Sequence, residues 1–434
     1  MSVNQLNQGT GYPSPSLRPI RKRLPQMGSR SARNRGLACS LYQGNIFVWF
    51  ACALVIFYVL PIAYLIGSGE FSLQSEGTRS HLVSVLLYGG TYCISGFVYS
   101  VLSTRTRLPR FEGGLPTART VRLVALLTVI GGAISLSVTA IYYALGGYKK
   151  WLLLGTDIDP WLFRIIGYDD TSRVLTAAHE ICRRVILPFV LVARIGLHQL
   201  GCGVSRFATS VFIVTGIAAA VVNLDRGPII QLMVLMAFSL AFYKRYSIAK
   251  LLSLVVVIAG LVGVVGATVT YLQYNQIEVT RSDITATIVP ILRDRVLLDP
   301  ARTAELYVYE NGDLRRDPLY LRYARIGALI GRGYVGTEDS ASVYVAPVGL
   351  IGDVMRNFGQ AGILLVAFLH GLCFRFLSFG IVKLDLLIRV PVLFMSLVLI
   401  MYSFYSGIFS MGPFAIFVTI CLIVFYFKPN LRWS

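Results

Sequence analysis

The sequence predicts an all-α protein, a polytopic bundle of about ten transmembrane helices with one large extracytoplasmic loop. The first observation is composition: the 434 residues are 55% hydrophobic and only 14% charged, which excludes a soluble globular protein. The second is that the apolar residues form long runs, and a helix needs about 20 of them to cross a hydrocarbon core of roughly 30 Å. Together these observations predict an integral membrane protein.

Nine apolar runs are long enough to be spans. They are Asn45 to Gly67, Ser80 to Leu102, Leu123 to Gly146, Phe207 to Asn223, Gly227 to Tyr243, Ala249 to Leu272, Phe358 to Gly380, Ile388 to Ser406 and Met411 to Phe427. A tenth, shorter run from Val185 to Leu200 contains Arg194 and His198. Because an Arg at mid-bilayer costs about 2.5–3.5 kcal/mol, we expect Arg194 to face the bundle or to reach the inner interface.

The basic residues predict the orientation. Net charge is +19, and most of it lies in the first 44 residues and in alternate short connections. Positive residues in short loops mark the cytoplasmic side, and anionic lipid explains them better than nucleic acid does. We therefore expect a disordered basic cytoplasmic tail at 1–44, a transmembrane domain at 45–428, a cytoplasmic end at 429–434, and outer loops at 147–184 and 273–357.

The outer loop 273–357 contains ten Arg and no Lys. Arg offers a planar fork that binds phosphate or carboxylate through two hydrogen bonds, whereas Lys is a hydrated point charge. The composition favours binding of a polyanionic group such as a lipid pyrophosphate. A general preference for Arg over Lys throughout the chain explains it equally well.

Candidate binding residues in this loop lie among several Gly. They are Arg322, Tyr323, Arg325, Arg332 and Tyr334. Aromatic faces pack against sugar rings, and Gly lets a backbone approach a ligand closely. Farther along, Asp353 and Arg356 are spaced i, i+3 on one face of a predicted short helix, which fits an acid-base pair or a structural salt bridge.

The turn "NLDRGPIIQ" joins two predicted spans and carries Asp225 and Arg226. A tight turn requires Gly227 and Pro228, but it does not require an Asp-Arg pair. The predicted topology places this turn outside, level with the Arg-rich loop. There Arg226 can meet a phosphate while Asp225 holds it in place, or the two residues can form a purely structural pair.

Two short patterns are typical of metal sites. Asp157 and Asp159 form a DxD pattern that can hold a divalent cation against phosphate, although an interfacial helix explains the segment equally well. "HEICR" has Arg183 where the second zinc ligand of HExxH must stand, so zinc is excluded there. The seven Cys show no CxxC pairing. We expect no metal and no cofactor.

The order of these features resembles the bacterial oligosaccharide repeat-unit polymerases, the Wzy-type O-antigen polymerases. The resemblance covers roughly residues 45 to 428 in architecture. In motif it rests on "NLDRGPIIQ" and on "GLIGDVMRNFGQAGILLVAFLHG" after the late outer loop. Members of that family are similar to GT-C type glycosyltransferases and act on the outer face of the bacterial inner membrane. They transfer a growing glycan from undecaprenyl pyrophosphate onto a new lipid-linked repeat unit.

The resemblance implies a metal-independent glycosyltransferase that produces O-antigen, capsule or exopolysaccharide. Its partners would be membrane lipid, the undecaprenyl-pyrophosphate-linked oligosaccharide, a chain-length regulator and a flippase. Such a transfer needs fixed cations for the leaving pyrophosphate and a carboxylate for the acceptor proton. We expect Arg226, Arg356 and the loop arginines to stabilise the leaving pyrophosphate. We expect a carboxylate to take the proton of the acceptor hydroxyl, and we prefer Asp353 to Glu338 and Asp339 for this role.

Two other functions remain open. An O-antigen ligase shares the late outer loop, but family ligases use an outer-loop His and this chain has none between 273 and 357. A flippase or other transporter would carry charged residues along its helices, whereas the predicted spans are nearly free of charge in their middle thirds.

Overall fold

The computed structural model describes most of the predicted membrane domain. The described residues are 45–103, 116–153, 171–222, 226–244, 298–305, 349–408 and 411–427, with a few positions between 249 and 260. Within them the protein is helical and contains no strand, which confirms an α-helical membrane protein. The number of spans, the GT-C likeness and the large loop, whose residues 306–348 lie outside the description, stay predictions.

The described helices are numbered here in chain order. They are α1 (Ile46–Gly67), α2 (Glu76–Leu102), α3 (Ala118–Gly147), α4 (Lys149–Leu152), α5 (Arg173–Ile181), α6 (Leu187–Gln199), α7 (Arg206–Val221), α8 (Arg226–Lys244), α9 (Asp299–Ala304), α10 (Gly349–Val382), α11 (Leu386–Ser406) and α12 (Met411–Phe427). Among these described residues, five helices are long and apolar enough to cross a membrane: α1, α2, α3, α11 and the part of α10 from Phe358. α7 is a shorter apolar helix, as is most of α12.

The apolar runs predicted from hydropathy coincide with several of these helices. The predicted run Met411 to Phe427 has the bounds of α12. α8 begins at Arg226 of "NLDRGPIIQ", and residues 223–225 lie outside the described part of the chain. The predicted run Ala249 to Leu272 lies mostly outside the described residues. Apolar runs of this length form helices because lipid offers no partner for backbone N–H and C=O groups.

Polar side chains fix where several helices begin. Each accepts a hydrogen bond from a backbone N–H of the first turn, and they are Asn45, Ser75, Thr117, Ser172 and Ser205. An N-cap of this kind contributes about 1 kcal/mol because the first N–H groups of a helix have no partner within it. The polar residues between apolar runs therefore set helix starts.

The predicted run Val185 to Leu200 belongs to a longer helical segment. α5 continues through a π-helical turn, Cys182–Ile186, into α6. The helix begins at Arg173, before the predicted apolar run, because α5 is amphipathic and hydropathy does not detect such a helix. Arg194 faces the bundle, with its guanidinium 5.9 Å from the centroid of the Phe212 ring in α7, a cation–π contact.

Successive helices run in opposite directions, so their ends gather at two opposite ends of the bundle, which are called upper and lower here. At the upper end, the Trp151 side chain after α3 donates a hydrogen bond to the Val222 carbonyl after α7, at 2.7 Å. At the lower end, the Thr120 hydroxyl of α3 donates to the Asp385 carboxylate before α11, at 2.9 Å. The upper end therefore gathers the carboxyl ends of α1, α3, α7 and α11 with the amino ends of α2, α5, α8, α10 and α12.

α10 is kinked at Gly359, whose backbone is not helical, and it packs against α2. α11 packs against α1, α6, α10 and α12. At Gly371 of α10 an added Cβ would overlap the Tyr92 carbonyl oxygen and the Ser95 hydroxyl of α2. Two helices come this close only where a residue has no side chain, as is common in membrane bundles. Gly371 therefore fixes how α10 lies on α2.

A buried polar pair lies midway along the same two helices. The Tyr88 hydroxyl and His370 Nδ1 are 2.5 Å apart, and the rings of Phe50 and Phe374 pack around them. A polar group inside an apolar bundle is costly unless it has a hydrogen-bond partner. The pair therefore joins α2 to α10 without exposing a polar atom to lipid.

We expect Gly371→Val to lower the free energy of unfolding by about 1–3 kcal/mol, because its side chain must push α10 away from α2. Gly90→Val is the matched control: Gly90 is also helical, and no atom lies within 4 Å of its added Cβ. Thermal unfolding of the purified protein in detergent measures both. Equal losses in the two variants would contradict the close packing at Gly371.

Candidate functional site

Two polar clusters lie at the upper end, and both border the carboxyl end of α11. The carboxylate cluster consists of Tyr58, Thr78, His81, Glu305 and Asp353. The arginine cluster consists of His179, Glu180, Arg183, Arg184 and Gln231. Ionisable groups buried in a membrane bundle are costly, and in functional proteins they mark working sites.

Asp353 is the most deeply buried acid among the described residues, with 2% of its surface exposed. It lies in the second turn of α10 and faces Gly407, which follows α11. A Cβ at Gly407 would overlap the Asp353 carboxylate. Gly407 also has φ 82° and ψ 155°, a conformation that is essentially restricted to glycine. The space for the carboxylate therefore depends on glycine at this position.

Tyr58 fixes the beginning of α10. Its hydroxyl accepts a hydrogen bond from the Ile351 backbone N–H at 2.9 Å, one of the first-turn groups that lack a partner within the helix. Tyr58 itself lies in a π-helical turn of α1, Val55–Val59, and such turns often occur at functional sites. The turn thus holds the helix that carries Asp353.

A second acid, Glu305, enters the cluster from the short helix α9. The Thr78 hydroxyl in the first turn of α2 donates a hydrogen bond to the Glu305 carboxylate. His81 follows one turn later in α2, fully buried, with its ring centroid 6.1 Å from that of Tyr58. α1, α2, α9 and α10 therefore each contribute a polar side chain to this cluster.

The arginine cluster is built on the α5 segment and the π-helical turn after it. The Glu180 carboxylate accepts hydrogen bonds from Arg183 and, at 2.5 Å, from Arg184 Nε. Burial raises the pKa of Glu180, but Arg184 and Arg183 together lower it to about 2. Glu180 is therefore ionised at neutral pH and binds two guanidiniums, those of Arg183 and Arg184.

Arg184 is held by α8 and α11 as well. Its guanidinium carbon lies 5.5 Å from the centroid of the Tyr402 ring, and its carbonyl accepts a hydrogen bond from the Gln231 side chain at 3.0 Å. The Tyr402 hydroxyl donates to the other end of that Gln231 amide at 3.2 Å. Arg183 is buried, whereas Arg184 keeps 30% of its side chain exposed. Arg184 can therefore meet a ligand.

His179, the first residue of "HEICR", packs inside the bundle. Its ring stacks on Tyr142 of α3, with centroids 4.2 Å apart and planes 3° apart. Its Nδ1 lies 3.5 Å from the Thr139 hydroxyl. This stacking holds α5 against α3 and so positions the neighbouring Glu180.

Three of the residues predicted for the site lie at the upper end. Asp353 and Arg356 belong to the first turns of α10, and Arg226 is the first residue of α8. Asp353 faces Gly407 across the bundle, a neighbour that the i, i+3 spacing with Arg356 does not indicate. The other predicted site residues lie outside the described part of the chain, as does the DxD pattern: Asp157, Asp159, Asp225, Arg322, Tyr323, Arg325, Arg332, Tyr334, Glu338 and Asp339.

Sequence reasoning missed Glu180, Arg184 and Glu305. A signal for the first two was present, because Glu followed by Arg at i+3 and i+4 is the spacing of ion pairs on a helix. No local pattern marks Glu305, whose partner Thr78 lies 227 residues away in the chain.

Comparison of the chain with known protein families, with curated proteins and with solved structures finds no match in any of the three.

We expect Gly407→Ala to be more destabilising than Gly359→Ala, by about 1–3 kcal/mol. Both glycines have positive φ and extended ψ, so both variants strain the backbone. Only at position 407 does the new methyl group also displace a buried carboxylate, since the space around Gly359 is open. Thermal unfolding in detergent compares them, and equal losses would contradict the packing of Asp353.

We expect Glu180→Gln to lower the free energy of unfolding by about 3 kcal/mol at pH 7. The carboxyl pKa lies below its ordinary value in the folded protein, so its stabilising effect is present above pH 4.5 and is lost as pH falls toward 2. Thermal unfolding measured at a series of pH values should show the stabilities of the unsubstituted protein and of Glu180→Gln converging as pH falls from 4.5 toward 2.

Glu76→Gln is the control for this pH series, because Glu76 is an exposed acid at the start of α2. It should change stability by less than about 1 kcal/mol. A difference between the protein and Glu180→Gln that stays constant from pH 5 to about pH 2 would contradict the lowered pKa of Glu180.

Proposed function

We propose that this protein is a membrane glycosyltransferase that polymerises undecaprenyl-pyrophosphate-linked oligosaccharide units at the outer face of a bacterial inner membrane. One observation carries the proposal: a buried carboxylate, Asp353, and a fixed arginine cluster around Arg184 border the same helix end, that of α11. Transfer of a glycan from a pyrophosphate carrier needs one group of each kind.

The proposal places the upper end outside the cytoplasm. Charge supports this orientation, because residues 1–44, which join α1 at its lower end, carry seven Arg and Lys and no Asp or Glu. Positive residues in such segments face the cytoplasm. Arg226 and Arg356 then lie on the outer side with both clusters.

In the proposed reaction an acceptor sugar hydroxyl forms a bond to the anomeric carbon of the growing glycan. The bond from that carbon to the pyrophosphate oxygen breaks, and the pyrophosphate leaves with the electron pair. Asp353 takes the hydroxyl proton, since a carboxylate is a common general base in such transfers. Fixed cations stabilise the charge that develops on the leaving group without having to reorganise.

Arg184 is the best-supported cation among the described residues. Glu180, Gln231 and Tyr402 hold it in place while part of its side chain stays exposed. An Arg fork fixed in this way is suited to bidentate contact with phosphate oxygens. Arg226 and Arg356 remain proposed contacts for the same pyrophosphate.

The described helices favour chemistry at the membrane surface over passage through it. Among the described residues, one polar contact at mid-depth, Tyr88 with His370, is enclosed by Phe50 and Phe374. A transport path would place exposed polar or charged groups at that depth. A ligase would use the same chemistry with a different acceptor, so the product distinguishes it from a polymerase.

We expect Asp353→Asn to reduce polymerisation by roughly 10²-fold or more, because Asn cannot take the acceptor proton. Arg184→Ala should reduce it as well, through the loss of a cation at the leaving group. The variants are expressed in a host whose own copy is deleted, and glycan chain length is read by gel against equal amounts of membrane-inserted protein. Glu76→Gln, an exposed acid outside both clusters, is the control.

The product of a defective variant identifies the function. Single capped repeat units indicate a lost polymerase and support the proposal. Long unattached polymer indicates a lost ligase, and units trapped inside the cell indicate a lost flippase; either result contradicts it. Polymer of normal length from both Asp353→Asn and Arg184→Ala also contradicts it.

A further inference from the structure

An ion pair at the upper end joins two segments that are distant in sequence. Arg302 of α9 donates through Nε and Nη2 to both carboxylate oxygens of Glu70, with 2.7 Å between Nη2 and Oε2. Glu70 lies in the connection between α1 and α2. A planar guanidinium that binds both carboxylate oxygens restricts orientation as well as distance. The pair therefore fixes how α9 lies over this connection.

α9 depends on such contacts for its position. It has only six residues, and no side chain caps its amino end. A helix this short is not stable on its own in water. Its buried face, Ala301 and Ala304, packs into the core. Its amino end lies beside the start of α10, where a Cβ on Gly349 would be 3.4 Å from Pro300 Cβ.

Two contacts tie α9 to opposite ends of the same connection. Arg302 binds Glu70 near the end of α1, and Glu305 binds Thr78 at the start of α2. If the Arg302–Glu70 contact is lost, α9 can turn about the Glu305–Thr78 contact. Its amino end, where Pro300 packs beside Gly349, would then move relative to the start of α10, the helix that carries Asp353.

The exposure of the pair argues against a mainly stabilising role. The Arg302 and Glu70 side chains are 30% and 43% exposed. Pairs this exposed add little to stability because water and salt screen them. Their geometry is nevertheless specific, which suits a contact whose effect is on placement.

We propose that Glu70 and Arg302 are positioning residues: their ion pair holds α9 so that Pro300 stays beside the start of α10, the helix that carries Asp353, while glycan is transferred. This inference rests on the proposed function. It adds a contact outside both clusters that controls the rate of transfer. A displacement of about 1 Å in a catalytic constellation can cost up to 10²-fold in rate, so loss of the pair has a measurable effect.

The test is a charge swap in the full chain, in the deletion host, with polymer formed from the host's own lipid-linked repeat units. Glu70→Arg and Arg302→Glu should each slow polymer formation roughly tenfold at a normal amount of membrane-inserted protein. Each reversal places like charges together. The double variant Glu70→Arg with Arg302→Glu restores the pair and should recover most of the rate.

Matched controls carry the same charge changes nearby. Glu76→Arg and Arg79→Glu alter exposed residues in the first turn of α2, outside the pair, and should keep the parent rate within about twofold. Single reversals that polymerise at the parent rate would overturn the positioning role. A double variant that forms polymer no faster than the single variants would overturn the pairing. Rates of polymer formation that fall only in proportion to the amount of membrane-inserted protein would overturn it as well.

Failure of this inference is distinguishable from failure of the proposed function. If Asp353→Asn and deletion of the chain leave the glycan unchanged, the polymerase proposal fails. The contact is then tested by pairing Glu70→Cys with Arg302→Cys. A short bifunctional thiol reagent should cross-link the two fragments produced at a protease site inserted within 104–115. A cross-link no stronger than that of Glu76→Cys with Arg302→Cys would overturn the contact itself.

Discussion

The close contact between α10 and α2 is the constraint on which the rest of the structure depends. Lipid removes the hydrophobic drive that joins helices in water, so close backbone approach and buried hydrogen bonds must set their register. Gly371 against Tyr92, and His370 against Tyr88, supply both. Beyond the kink at Gly359, residues 349–358 of α10 reach the upper end of the bundle, where Asp353 lies against Gly407.

The polar groups at the upper end are arranged so that burial and charge are compatible. Asp353 occupies a space that exists because Gly407 has no side chain. Glu180 stays ionised although it is buried, because two guanidiniums lower its pKa. Arg184 is held by that carboxylate yet remains partly exposed. The bundle can therefore place fixed charges at the membrane surface while its middle stays apolar, as the proposed surface chemistry requires.

The candidate site was predictable only in part. Asp353, Arg226 and Arg356 were predicted because each stands out beside apolar runs, and their backbones lie at one end of the bundle. The neighbours that give Asp353 its environment were not found, since Gly407 and the Tyr58 helix lie far from it in sequence. α5 was missed as a helix because a half-polar segment does not register as an apolar run.

The sequence by itself determined the helical class, the positions of most spans and the starts of several helices. These follow from local chemistry: apolar length, backbone groups that lipid cannot satisfy, and capping side chains. Only the tertiary structure decided which polar residues meet. Glu305 with Thr78, and Arg302 with Glu70, pair across more than 200 residues of chain. Such contacts depend on helix packing, because no local pattern records which face of one helix will meet which end of another.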